Sequence, residues 1–260
     1  MRLLFTICGR AGSKGLKNKN LKVFMGAPLV YYTLAAIIEY KKTLSSMDIV
    51  DVALNTDSEN LVELVCMQKE LSVFPIRRAE NLAGDSVPKV EVIQDCLVRS
   101  VAHFQCTYDV VVDLDITSPL RTANDIRKAV EMKIKRIDTD AIYSVTSSRR
   151  NPYFNMVQEQ NGFSSVAIPS AFTARQQAPA IYDMNGSIYA YSPHSLMSKN
   201  SIGFFNSNCY FITMKDTAVL DIDSEEDFEL LQIIAKYIFD AYPAFDMVRS
   251  ISCQLAATIG

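Results

Sequence analysis

The run Leu3-Leu4-Phe5-Thr6-Ile7-Cys8 carries no charge at either alternating set of positions, so it reads as a strand buried on both faces. It opens at once into Gly9-Arg10-Ala11-Gly12-Ser13-Lys14-Gly15, followed by Lys17-Asn18-Lys19-Asn20. Glycines at three-residue spacing let the backbone turn tightly and present its N–H groups, while Arg10, Lys14, Lys17 and Lys19 add positive charge. The combination suggests a loop for a polyphosphate. Neither common phosphate motif fits, because a P-loop needs GxxxxGK[ST] and the dinucleotide fingerprint needs GxGxxG, whereas these glycines are spaced GxxGxxG. A tight strand-to-helix connection accounts for the glycines equally well at this point.

Further strand-like runs fall near Ile49–Asn55, Val73–Ile76, Val110–Leu114, Ala141–Val145, Ser187–Tyr191 and Tyr210–Thr213. Between them the periodicity predicts helices over Pro28–Glu39, Glu59–Glu70 (capped by Asp57 or Ser58), Val87–Val101, Ala123–Ile134 and Glu225–Tyr237 (capped by Ser224). This alternation predicts a doubly wound α/β domain with a mostly parallel sheet. Residues 147–183 break it. There Asn161-Gly162 separates two extended runs, a hairpin signal, and an excursion of this length predicts a protruding element that packs on a second subunit, the alternative being a lid or an ordinary long excursion. The organisation expected is a nucleotide-binding core over 1–146, the insertion over 147–183, the rest of the core over 184–237, and an extension of unassigned role over 238–260.

A chain of 260 residues with net charge −3 is large enough for a substantial core and is not a general nucleic-acid binder. No run approaches the roughly 20 apolar residues of a membrane span, and a cytoplasmic location is expected. Six scattered cysteines without a CxxC pair read as reduced, mostly buried thiols, and two histidines without a cysteine or carboxylate cluster argue against zinc.

Four clusters add chemistry. Asp221 and Asp223, two residues apart, suit a hard cation such as Mg²⁺, although such a run commonly serves only the helix N-terminus that follows. Thr117-Ser118-Pro119-Leu120-Arg121 follows the strand Val110–Leu114, at the sheet edge where open α/β folds bind ligands. Arg77-Arg78 through Gly84-Asp85 follows Val73–Ile76 at the same edge. Arg175-Gln176-Gln177-Ala178-Pro179 leads into Tyr182-Asp183-Met184-Asn185-Gly186-Ser187-Ile188-Tyr189.

In that order, over about residues 1–237, these segments resemble the CMP-sialic acid synthetase family of cytidylyltransferases. The shared elements are the GSKG opening with Lys19-Asn20, Gly26-Ala27-Pro28-Leu29, TSPLR, RQxxP, NGxIY and the terminal DIDxxED. The resemblance implies a nucleotide-diphospho-sugar transferase-like fold and attack of a nonulosonic acid's anomeric hydroxyl on the α-phosphate of CTP. It implies Arg10, Gly12, Ser13, Lys14, Lys19, Asn20, Arg78 and Asp85 at the nucleotide, and Asp221 and Asp223 on Mg²⁺. It implies Asp115, Thr117, Ser118, Arg121, Arg175, Gln176, Tyr182 and Asn185 at the sugar, with Arg10, Lys14 and Asp223 in catalytic roles, Asp223 as a candidate base, and a homodimer. The chain departs from the sialic acid pattern with Asp115 in place of a glutamine, Asp183 in place of an arginine and Phe154 in place of a lysine. Those exchanges resemble the branch acting on legionaminic-type sugars. Their structural alternative is that Asp115 and Asp183 bind loop amides, Arg121 or Arg175. An octulosonate cytidylyltransferase, a nucleotidyltransferase for another base and a non-catalytic nucleotide-binding protein are the rival readings.

Overall fold

The computed structural model describes residues 1–12, 16, 18–84, 86–198, 207–217, 222 and 224–258. The N-terminal run forms β1 (Arg2–Cys8) in a seven-stranded sheet of order β11-β7-β10-β6-β1-β4-β5. Its members are β4 (Ile49–Thr56), β5 (Phe74–Arg77), β6 (Val110–Leu114), β7 (Ala141–Ser147), β10 (Tyr182–Tyr191) and β11 (Cys209–Thr213). β4, β5 and β6 continue parallel to β1, and β11 is parallel to β7. β10 runs antiparallel between β6 and β7. The mixed, mostly parallel α/β sheet is the one the alternation predicts. Chain order reverses between β4 and β6 on the two sides of β1, which makes the carboxyl ends of β1 and β6 the switch point where such sheets open a crevice.

The absence of polar alternation in β1 has a plain cause. Leu3, Phe5 and Ile7 enter a core under α1 (Leu29–Lys41) on one face, while Leu4 meets Val111 and α3 (Lys89–Phe104) on the other. α1 is buried nearly all round because α7 (Pro243–Ala257) lies against it, with Phe245, Val248, Ile251 and Leu255 in the same core. Residues 238–241 complete α6 (Glu225–Ala241), so the C-terminal segment is part of the packed body. α2 (Glu59–Met67) stops earlier than its periodicity suggests. The buried Gln68 adopts an extended backbone and uses its amide to bind Val65 O, Leu71 O and Leu71 N.

α4 (Ala123–Lys135) and α6 each start on a reciprocal capping box, Thr122 with Asp125 and Ser224 with Asp227, and Ser58 caps α2. α5 (Pro193–Ser198) is a short turn after β10. A small ribbon of β2 (Val23–Phe24) and β3 (Ala27–Pro28) leads into α1. The insertion forms the expected hairpin, β8 (Val157–Gln160) and β9 (Phe163–Val166), joined by Asn161 and Gly162 with φ of +55° and +81°, the two left-handed residues of a type I′ turn. Every residue of both strands is exposed, Val157 and Phe163 to 71% and 79%. None of the six cysteines forms a disulfide. Cys96 is buried and Cys66 exposed, with the other four between, so fewer are buried than the sequence suggests.

Candidate active site

The glycine loop begins where β1 ends, and its described part is fixed from below. Gly9 N–H donates to Asn55 O at 3.2 Å and Ala11 N–H to the Asp57 carboxylate at 2.6 Å. Gly9 packs closely, since a Cβ there would lie 2.7 Å from Leu61 Cδ2 and 2.9 Å from Ile116 Cδ1 and would push these side chains aside. Gly12 needs its lack of a Cβ for conformation, with φ +75°. Arg10, Gly12, Lys19 and Asn20 line one small concavity with Ser58 and Leu61, and the Asn20 amide donates to Arg10 O at 3.3 Å. Ser13 and Lys14 of this loop lie outside the described residues, as do Asp85, Asp221 and Asp223.

Asn55, at the end of β4, organises the same edge. Its side-chain oxygen accepts from Arg78 Nε and its backbone oxygen from Arg78 Nη2, both at 2.9 Å, while its amide donates to Asp95 on α3 at 2.9 Å. Arg78 is thus nearly buried with two nitrogens committed to β4. Sequence reasoning took Asp57 only as a candidate helix cap and gave Asn55 no role. A polar pair closing an apolar strand at a sheet's carboxyl end is the signal that marks them.

Across the switch point, the loop after β6 is held by a charge cluster. Lys89 Nζ lies 2.8 Å from Asp113 and 2.7 Å from Asp115. Asp113, wholly buried, also accepts from Thr6 Oγ1 at 2.8 Å, and Asp115 accepts from the Thr117 N–H at 2.9 Å and its hydroxyl at 2.7 Å. Burial opposes the Lys89 ammonium, but Asp113 and Asp115 outweigh it and raise its pKa well above the ordinary lysine value. Burial likewise opposes ionisation of Asp115, yet Lys89 and the Thr117 donors hold its carboxyl well below the usual range. Asp115 therefore does bind a loop amide, and its cationic partner is Lys89 rather than Arg121 or Arg175. Two sequence signals mark this cluster in retrospect: a carboxylate inside the apolar run Val110–Leu114, and a lysine at the first position of a helix, where the dipole disfavours a cation. Nearby, a hydrogen bond with Cys96 and burial push the Cys8 thiol well up, so it stays protonated and offers no nucleophile.

Two expected sugar residues turn out to be built into the framework. Arg121 has no exposed surface. It donates to Ser187 O at 2.7 Å, to Thr33 Oγ1 at 3.1 Å and to the Asp115 carbonyl, and burial lowers its pKa to about 10. Its guanidinium ties the β6–α4 loop to β10 and α1, and no face of it is open to a ligand. Asn185 is buried at a bulge in β10, where Gly186 has φ +65° and the pairing with β7 shifts register. Its side-chain oxygen accepts from the Ser144 hydroxyl and from Ser187 N–H, and its amide nitrogen rests on Met214 Sδ. Thr117 and Ser118 are half-buried at the same loop.

Arg175 and Tyr182 meet at the root of the insertion, lining a cleft of about 220 Å³ together with Arg150, Asn151 and Ser147. Arg175 sits on a 3₁₀ turn and donates to Arg149 O at 3.2 Å, and Gln176 beside it is exposed. Tyr182 packs on Phe211 with ring centroids 4.7 Å apart. Asp183 and Phe154 are both exposed. The edge thus holds a basic loop concavity at β1, a loop cluster at β6, and an arginine-lined cleft beyond β7. That layout suits an anionic nucleotide beside a second, polar substrate.

A family model described as cytidylyltransferase matches residues 4–237 of the chain. Post-translational flagellin modification protein B of Campylobacter coli is 36% identical over 234 residues, which span 90% of this chain and 95% of that protein. CMP-N,N'-diacetyllegionaminic acid synthase of Campylobacter jejuni is 35% identical over 232 residues, 89% of this chain and 94% of that one. An N-acylneuraminate cytidylyltransferase of Streptococcus agalactiae is 28% identical over 242 residues but only 54% of its own length is spanned. Among solved structures, a CMP:2-keto-3-deoxy-manno-octonic acid synthetase complexed with CTP superposes with a TM-score of 0.61 at 13% identity, covering 91% of this chain and 99% of that one, a likeness of fold.

Proposed function

Because the chain belongs to the cytidylyltransferase family, we propose that it activates a nine-carbon 3-deoxy-2-ulosonic acid of the legionaminic type with CTP. The observation that carries this reading is similarity along nearly the whole length to CMP-N,N'-diacetyllegionaminic acid synthase. In the reaction the anomeric hydroxyl oxygen bonds to the α-phosphorus, the bond from that phosphorus to the β-phosphate oxygen breaks, and pyrophosphate leaves. The hydroxyl proton passes to a base, a role we give to Asp223, directly or through water.

Catalysis of this kind consists chiefly of positioning and of offsetting negative charge. Arg10, Ser13, Lys14 and the loop amides at Gly12 would hold the triphosphate, Lys19 and Asn20 would close on the nucleotide, and Arg78 with Asp85 would read base and ribose. Thr117 and Ser118 beside Asp115, with Arg175, Gln176 and Tyr182, would face the acidic sugar. Asp221 and Asp223 are hard oxygen donors of the type Mg²⁺ takes beside substrate phosphates, and in sequence they flank Ile222, which is buried, and precede the cap at Ser224. When bound, the ion supplies charge neutralisation and a lower pKa for the attacking hydroxyl.

We assign a homodimer to residues 147–183. A hairpin exposed on all its residues and bearing Val157 and Phe163 is marginal alone in water, which supports an apolar partner surface. No helix among the described residues is long and apolar enough to cross a membrane. We place the enzyme in the cytoplasm, with the nucleotide pool it draws on.

The test is pyrophosphate release with CTP and Mg²⁺ against N-acetylneuraminate, deaminated neuraminate, diacetyllegionaminate, pseudaminate and 3-deoxy-manno-octulosonate. A preference for diacetyllegionaminate is expected. Turnover of the octulosonate alone, or none with any acid, would refute the reading.

A further inference from the structure

Lys89 belongs to no motif of the sequence, yet it joins two carboxylates at the switch point of the sheet. Its ammonium has three N–H donors: one is donated to Asp115, and the contact to Asp113 is an ion pair without hydrogen-bond geometry, so a donor direction is left over. The side chain keeps about a third of its surface exposed (34%) and that of Asp115 keeps 28%, whereas Asp113 has none. An ionised carboxylate offers about four acceptor sites. In Asp115 one oxygen takes both Thr117 donors and the other takes Lys89, so a single acceptor site remains on that second oxygen of a partly exposed carboxylate.

The pair therefore presents one donor and one acceptor side by side at the ligand edge. Its charge is balanced, because Lys89 and the buried Arg121 beneath it offset Asp113 and Asp115, so an anionic sugar meets no net repulsion there. A hydroxyl satisfies either half of such a pair. An acylamino group, with its N–H beside its C=O, satisfies both. We propose that Lys89 and Asp115 form the subsite that reads an acylamino substituent of the sugar, Lys89 donating to the amide oxygen and Asp115 accepting the amide N–H. This inference rests on the reading that the second substrate is a nonulosonic acid.

The experiment compares wild type with Lys89→Met and Asp115→Asn, using diacetyllegionaminate and deaminated neuraminate, which carries hydroxyls in place of the acylamino groups. Loss of one charge-assisted hydrogen bond predicts that each variant lowers the kcat/KM ratio between the two acids by about tenfold or more, with the KM for CTP within about twofold. Asp115→Asn keeps the ammonium and the side-chain shape, so it decides the matter if Lys89→Met fails to fold. An unchanged ratio, or a loss that falls equally on both acids and CTP, overturns the proposal. Calorimetric titration of diacetyllegionaminate separates the two readings. Binding that needs Asp115 and Lys89 without turnover would sustain the subsite while ending the catalytic reading, and absence of any binding to the wild type overturns both.

Discussion

Arg121→Met separates a framework arginine from a ligand arginine. The guanidinium makes bonds to Ser187 O, Thr33 Oγ1 and the Asp115 carbonyl with no exposed surface. Hydrogen bonds from a charged donor are worth about 1.5–3 kcal/mol each, so the gross loss is roughly 5–9 kcal/mol. Against this, burial holds the group down to about 10. That depression from the ordinary guanidinium value corresponds to about 3 kcal/mol, which methionine recovers. The net cost is about 2–6 kcal/mol, overlapping the range seen when one member of a buried charged set is removed. For a chain of this size each kcal/mol moves the melting midpoint by about 2–4 °C, so a loss near 3 kcal/mol means a drop of about 6–12 °C. The assay is a thermal melt of both proteins, followed by kinetics at a temperature where both stay folded. The framework role predicts lowered stability with losses shared between sugar and CTP. An unchanged midpoint together with a raised KM for the sugar alone would show that the arginine faces ligand and that the buried placement is wrong.

Three further outcomes are expected. Replacing Asp221 or Asp223 by Ala should abolish Mg²⁺-dependent pyrophosphate release without moving the melting midpoint, and near-normal turnover in either variant ends the metal assignment. Phe163→Glu, which charges the tip of the exposed hairpin, should shift the sedimentation profile from dimer to monomer; a profile unchanged from wild type removes the hairpin from the interface. Asp115, held below its ordinary value, contributes stability that is present above an unfolded value of about 3.9 and lost as pH falls through the folded value. Lys89, held above its ordinary value, contributes stability that is present below about 10.4 and lost only as pH rises through its folded value. The stability difference between wild type and Asp115→Asn should therefore be flat from about pH 5 to 9 and shrink below about pH 4, and a collapse near pH 6 in urea titrations would contradict the ion pair.

What the chain announces locally, it announces well. β1, β6 and the capping boxes of α4 and α6 lie where apolar runs and Ser or Thr caps put them, and Asn161-Gly162 forms the turn its φ preferences dictate. These features depend on neighbours a few residues apart, and short-range sterics and hydrogen bonding are written in the order of residues. The loop basicity around Arg10 and Lys19 was legible for the same reason. Other features needed segments far apart in the chain to meet. Lys89 reaches Asp113 and Asp115 only because α3 crosses the carboxyl end of β6. Arg121 reads as a sugar ligand in TSPLR until β10 and α1 close over it, and Asn185 likewise until the β10 bulge buries it against Ser144. The segment after Tyr237 has no motif, yet α7 completes the core because α1 is apolar on nearly all sides and must be covered on its outer side. A sequence lists which side chains can carry charge or apolar surface, but the dielectric and the partners that decide their role are set by long-range packing, and that is what the tertiary structure alone decided.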